Sequence, residues 1–138
     1  MFTITDLQNV AVYRIKAKDT NKFALIGGSG KIDLPFVSCI EIFDIGGKTP
    51  PNMHKIGYEF FYVLHGEGIL FADNIQTRFL KGMSFTLQPN TMHEIHNLGL
   101  DKLYTLTFMV PDDHFLNLIC SGIEDKLDEV DFSVLTNL

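Results

Sequence analysis

Four polar side chains, Asn52, His54, Glu59 and His93, stand in otherwise apolar, strand-like surroundings and are the residues of this chain best able to converge on one small molecule. Asn52 and His54 are two apart, so extended backbone points both to one face and Met53 to the other. Glu59 comes five residues later, a spacing that reverses its face in an unbroken strand. Gly57 allows a bend that restores the inward direction. From Glu59 to Leu64, period-two alternation places Glu59, Phe61 and Val63 on one face and Phe60, Tyr62 and Leu64 on the other. A carboxylate among apolar neighbours needs a hydrogen-bonding partner or a cation. His93 opens a later strand with Ile95 on its own side, while Glu94 and His96 face away. Taken singly, each histidine also reads as a satisfied polar residue and Glu59 as a solvated strand position. Joint placement among apolar flanks favours function, with Glu59 an acid/base candidate if no metal is bound.

Placing these residues requires a run of short strands. Val10 to Lys16, Phe23 to Ile26 and Phe36 to Ile45 are apolar runs separated by turn chemistry. Gly27 to Gly30 lacks the Lys-Ser/Thr and the following helix of a phosphate loop, so it reads as a flexible turn. After the break at Gly46, Gly47, Pro50 and Pro51 come Glu59 to Leu64, Ile69 to Ala72, Gln76 to Leu80, Met83 to Leu87, His93 to Asn97 and Leu103 to Met109. That even rhythm is the rhythm of an all-β sandwich or barrel. Gly66-Glu67-Gly68 and Asp73-Asn74 supply hairpin turns, which makes neighbouring strands antiparallel. The period changes after Val110. Pro111, Asp112 and Asp113 predict a helix start with Phe115, Leu118, Ile119 and Ile123 on one face, packed outside the barrel or over its open end. Asp128 and Asp131 predict a second short helix through Phe132, Val134 and Leu135, and the acidic stretch Glu124 to Asp131 reads as a solvated face. Phe60, Tyr62, Phe71, Phe79, Phe85 and Phe108 are expected to fill the barrel, and Met53 and Met92 to pack.

The 138 residues suit one domain, with the barrel over about 10–110 and the helical segment over about 111–138. A composition 46% hydrophobic and 12% aromatic fills one core without disulfides, and Cys39 and Cys120 are expected to be buried thiols. A net charge of −6 repels nucleic acid and anionic lipid. No apolar run is long enough for a membrane helix and the first residues do not read as a signal peptide, so a soluble, cytoplasmic protein is expected.

The spacing of Gly46, Asn52, His54, Glu59 and Gly66 resembles the first motif of the cupin superfamily, with Asn52 standing where the motif has its first histidine. Gly82, Gln88, Asn90, His93 and Asn97 fall on the second motif, where Gln88 and Asn90 replace a proline and a glycine. Asn visits the left-handed region readily, so the turn survives at Asn90 beside Pro89. The fifteen residues between Gly66 and Gly82 also match the short spacing of small microbial cupins. The resemblance implies a double-stranded β-helix, or jelly-roll, barrel with one or two short C-terminal helices.

By position, the resemblance makes His54, Glu59 and His93 ligands of a divalent transition metal (Fe, Mn, Ni, Co or Zn). Asn52 would bind weakly, bind through water, or hydrogen-bond the substrate instead. It further implies a small-molecule substrate and a homodimer, for which Phe2 to Ile4 could serve as an exchanged strand. Three functional readings stay open: a dioxygenase, a redox-silent isomerase, lyase or cyclase, and a non-catalytic binding module.

Overall fold

The computed structural model describes all 138 residues. Ten strands are formed: β1 Val12–Arg14, β2 Asn21–Leu25, β3 Val37–Phe43, β4 Tyr58–His65, β5 Glu67–Ala72, β6 Ile75–Leu80, β7 Ser84–Leu87, β8 His93–Asn97, β9 Leu103–Val110 and β10 Ile123–Asp125. Two short helices follow the barrel, α1 Phe115–Cys120 and α2 Glu129–Leu135. All pairings are antiparallel, in a seven-stranded sheet ordered β10-β1-β2-β3-β9-β4-β7 and a three-stranded sheet ordered β6-β5-β8. Strand content far exceeds helix content, as the alternating sequence requires. The Asp73-Asn74 turn between β5 and β6 has positive φ at both residues (49° and 64°), the geometry of a tight primed hairpin.

Inward-facing side chains alternate along every long strand. On β4, Glu59, Phe61 and Val63 are buried between partly exposed neighbours, as period two predicts. Between the sheets, Phe43, Phe61, Val63, Phe79, Leu87, Ile95 and Leu103 form one buried cluster. Phe23, Leu25, Val37, Cys39, Met109, Phe115 and Ile119 form a second cluster, to which α1 contributes Phe115 and Ile119. The outer face of the large sheet carries a third, with Val12, Ala24, Ile40, Ile42, Tyr104 and Leu127 covered by Phe132, Val134 and Leu135 around α2. Capping of α2 is reciprocal, since the Asp128 side chain accepts from the Asp131 amide and Asp131 accepts from the Asp128 amide.

Several expectations are corrected. Tyr62 is exposed, and Phe60, Phe71 and Phe108 are only partly buried, because they lie on the outward parity of their strands; Phe79 and Phe85 do pack inside. Leu118 and Ile123 are exposed, since α1 ends at Cys120 and Ile123 belongs to β10, which pairs with β1. The first helix starts after His114, in the left-handed region, and not at the aspartates. Cys120 is exposed on α1, and only Cys39 is a buried thiol. Glu124 to Asp131 is not a solvated helix face: it includes β10, and Asp131 is fully buried. Met53 and Met92 are exposed and do not pack in the core. No helix is long and apolar enough to cross a membrane.

Candidate functional site

Glu59 sits near the start of β4 in the large sheet, its side chain turned inward by strand parity. His93 begins β8 in the small sheet, with Ile95 and Asn97 buried on its side and Glu94 and His96 partly exposed on the other. His54 lies on the segment that connects β3 to β4. That segment is stitched to β8 by backbone hydrogen bonds from Thr49 to Ile95 (2.9 Å), from Asn52 to His93 (3.0 Å) and back from His93 to Asn52 (2.9 Å). Asn90, at φ 65°, turns the chain into β8 and donates its amide to the His54 carbonyl at 2.7 Å.

The bend ahead of Glu59 has a different cause from the one expected. Gly57 does not adopt positive φ. Smallness is what its position demands, since a Cβ there would lie 2.9 Å from the Met109 sulfur. The bend is held by the Asp113 carboxylate, which accepts the amides of Lys55 (3.1 Å), Ile56 (3.1 Å) and Gly57 (3.4 Å). These amide bonds, that of Ile56 foremost, hold the Asp113 carboxyl below its ordinary range. Sequence reasoning assigned Asp113 to a helix start and missed this role.

His54, Glu59 and His93 converge, with one potential ligand atom from each lying within 4.8 Å of the others. His93 Nδ1 is 2.9 Å from the Thr91 carbonyl oxygen, which can only accept, so Nδ1 carries hydrogen and Nε2 is turned to the interior. Nε2 then faces Glu59 Oε1 at 3.2 Å, and His54 Nε2 faces Glu59 Oε2 at 3.6 Å. His54 Nε2 is buried and makes no hydrogen bond. In neutral His93, with its hydrogen on Nδ1, the Nε2 lone pair opposes a lone pair of the carboxylate, an arrangement that requires a shared proton or a cation. Burial alone would raise the Glu59 carboxyl, but the close imidazoles of His54 and His93 hold it below its ordinary range. Burial likewise disfavours charging His93, and its bonds to Glu59 and Thr91 overcome that and raise it.

Asn52 makes bonds of its own. Its amide nitrogen donates to the Pro50 carbonyl at 3.0 Å, while its backbone forms the bridge to His93. It does border the same cavity, of about 420 Å³, whose walls include Phe23 and Phe115 from one core cluster and Phe61 and Ile95 from the other. A volume of this order suits a small organic molecule. Phe115 packs edge-on to His54, with ring centroids 5.5 Å apart, so α1 walls the side of the cavity that carries that ligand candidate. Met53 also borders the cavity. His65, His96 and His114 lie outside it.

Sequence reasoning missed two lining residues, Asn21 on β2 and Glu41 on β3, both buried. Asn21 Nδ2 donates to Glu41 Oε2 at 2.8 Å, and Thr107 Oγ1 donates to Oε1 at 3.4 Å. Burial, with the nearby charge of Glu59, pushes the Glu41 carboxyl up to about 8. The signal was available: Glu41 is the only charged residue in the seven residues of β3, all of which are buried.

The donor set fits a divalent metal. Two imidazole nitrogens and one carboxylate are ligands shared by Fe, Mn, Ni, Co and Zn, and the orphaned His54 Nε2 is a donor atom with nothing to bind. The family model described as the cupin domain matches residues 39–109. An uncharacterized protein of Methanocaldococcus jannaschii, MJ1618, is 34% identical over 70 residues, covering 51% of this chain and 56% of that protein. The chain thus spans just over half the length of this curated relative. A Thermotoga maritima structure described as a predicted oxalate decarboxylase superposes with a TM-score of 0.70 at 17% identity, covering 79% of this chain and 99% of that one. A Silicibacter pomeroyi sugar phosphate isomerase of the cupin superfamily gives a TM-score of 0.66 at 15% identity, covering 78% and 75%. Likeness at such identities shows the fold alone.

Proposed function

The chain belongs to the cupin domain family, and on that premise we propose that it is a metal-dependent cupin that binds and transforms a small organic molecule, with His54, Glu59 and His93 as the ligands. The observation that carries this reading is the opposition of His93 Nε2 and Glu59 Oε1 at 3.2 Å, two acceptors unless a cation or proton lies between them. An Fe, Mn, Ni, Co or Zn ion held there would supply Lewis acidity, and iron would add oxygen chemistry. The chain's own part is positioning. Thr91 fixes the His93 ring through Nδ1, and Phe115 packs against the His54 ring. Glu59 directs one oxygen toward each imidazole. Phe23, Phe61, Ile95 and Phe115 exclude water from the apolar walls. Asn52, bordering the cavity with its amide nitrogen engaged by Pro50, takes the role of contacting substrate in this reading.

A dioxygenase is one form of this function. The names of two fold neighbours, a decarboxylase and an isomerase, favour a redox-silent lyase or isomerase as the second reading. In a metal-free form, Glu59 and His93 would be the pair that holds and moves a proton, between Oε1 and Nε2. The same reading takes the protein as a cytoplasmic homodimer, with the exposed Phe2 and Ile4 available for pairing.

Elemental analysis of protein purified without chelator or affinity-resin metal tests the proposal. About one metal per chain is expected, lost in His54→Ala and in His93→Ala, and the metal found selects between the oxygen-dependent and redox-silent forms. Wild-type protein that stays metal-free after reconstitution would overturn the metal-centred reading in favour of a binding module.

A further inference from the structure

The cavity has a second polar station that the metal-centred reading leaves unused. Asn21 and Glu41 come from adjacent strands, β2 and β3, at Cα positions two apart in register, since Asn21 pairs with Phe43 and Phe23 with Glu41. Both point to the barrel interior and border the same cavity as His54, Glu59 and His93, yet belong to neither spaced motif of the sequence. They are 3% exposed each, so water does not solvate them freely. Their partners do not exhaust their bonding capacity. The Asn21 amide nitrogen reaches Glu41, but the amide oxygen is buried with no hydrogen-bond partner at all. Glu41 Oε1 receives only the long 3.4 Å contact from Thr107, whose hydroxyl is also engaged with Thr105 at 2.9 Å.

A buried amide oxygen without a partner is rare and costly, and one in a cavity wall marks the place where a ligand completes the set. The amide can be turned either way. With nitrogen toward Glu41, oxygen is left to accept; with oxygen toward a protonated Glu41, nitrogen is left to donate. A hydroxyl is the ligand group that satisfies both arrangements, because it donates and accepts. The dyad itself brings no positive charge to hold an anion, and the remaining ionisable lining of the cavity, Lys16 and Asp19 beside His54, Glu59 and His93, includes both signs.

We propose that Asn21 and Glu41 form a hydroxyl-recognition subsite, so that the small molecule held at His54, Glu59 and His93 carries an alcohol group directed toward β2 and β3. The inference rests on the metal-site reading for the location of the ligand's other end. The dyad would set specificity by a deletion rule: an analogue without the hydroxyl leaves the amide oxygen unpaired and binds less well.

The test uses the full chain loaded with Zn(II) and a defined probe set, the ω-hydroxy carboxylic acids of four, five and six carbons and their methyl-ended isosteres. Binding is followed by calorimetry and by the Asn21 side-chain amide resonances in ¹⁵N-labelled protein. At least one hydroxy acid should bind about tenfold or more tightly than its isostere, the loss expected when a buried polar group is left unpaired, and should shift the Asn21 amide while the isostere does not. Asn21→Leu should weaken that hydroxy acid about tenfold and change the isostere less than about threefold. Glu41→Gln, which keeps a side-chain acceptor for the Asn21 amide, should retain part of the preference. Equal affinity for hydroxy acid and isostere throughout the set, with the Asn21 resonances unmoved, would overturn the subsite even if Asn21→Leu failed to fold. Repeating the titration on His54→Ala separates the two proposals. Loss of carboxylate binding there with the amide response in wild type supports both, whereas an unchanged affinity together with the amide response sinks the metal anchor and leaves the subsite standing.

Discussion

The molecule buries carboxylates in two places and treats them in opposite ways. On the outer face of the large sheet, in the first turn of α2, Asp131 is fully buried and completely bonded. It accepts from Lys22 Nζ at 2.6 Å, Tyr104 Oη at 2.7 Å, Lys102 Nζ at 3.0 Å and the Asp128 amide at 2.9 Å. Lys22 in turn donates to the Lys126 carbonyl at 3.0 Å. Inside the barrel, Glu59 is just as dry, but its neighbours are two imidazole nitrogens at 3.2 and 3.6 Å, neither an obligate donor. Glu41 has one short bond, to Asn21. A buried charge with every lone pair occupied is finished structure, whereas one whose neighbours are conditional donors is completed by something that arrives. The difference separates a clasp that fastens the C-terminal helix to the barrel from a site.

The sharpest way to break this contrast is to remove the clasp. Asp131→Ala leaves Lys22 buried without its partner and should cost about 3–5 kcal/mol in urea denaturation, with metal binding by the folded protein unchanged. If stability barely falls, the clasp is not structural. Next comes Glu59→Gln, which should lower metal affinity at least about a hundredfold by competitive chelator titration, a loss above the range for outer-shell partners. The metal-free protein should stay within about 1 kcal/mol of wild type, because the Gln amide can donate to His93 Nε2.

Asp131 and His93 should also respond oppositely to pH. Ties to Lys22, Tyr104, Lys102 and the Asp128 amide outweigh burial and hold the Asp131 carboxyl well below the carboxylate range. Its contribution is therefore present above the unfolded carboxylate value of about 4 and is lost as pH falls toward the depressed folded value. His93 is raised by its bonds to Glu59 and Thr91 against burial, so in metal-free protein its contribution is full below about 6.5 and is lost as pH rises through its folded value. Metal must displace that proton, so metal affinity should climb over the same interval with measurable proton release. A flat affinity from mild acid to neutral would contradict the geometry. The smallest effect concerns the thiols. A maleimide should label Cys120 in the native protein, slowed because burial and the nearby Asp112 raise its thiol, and Cys39 only after unfolding.

The inner site was half legible in the sequence, and the clasp hardly at all. Strand positions, the turn at Asn90 and the convergence of His54, Glu59 and His93 follow from local signals, namely alternation, turn residues and motif spacing. Asp113, Lys22 and Asp131 could not be read that way. Asp113 meets Lys55 to Gly57 across more than fifty residues, and Lys22 meets Asp131 across more than a hundred. No local periodicity encodes which distant strand lies beside which. The acidic stretch around Asp131 had the composition of a surface, and only the burial of Asp131, on the face of α2 turned to the barrel, departs from it. Asn21 lies between the two cases. Strand parity gives its inward direction, but all five residues of β2 are buried, and its pairing with Glu41 needed the register of β2 on β3.

Glu59 belongs to the seven-stranded sheet and His93 to the three-stranded one, so the site spans the gap between two bodies. The distance from one ligand candidate to the other is set by whatever keeps those sheets apart, chiefly Phe61, Phe79 and Ile95. Core volume is thereby a ruler for the chemistry. Trimming Phe79 would let the sheets draw together and shorten the bite between Oε1 and Nε2, while an ion held between them would act as a rivet that resists their separation during unfolding.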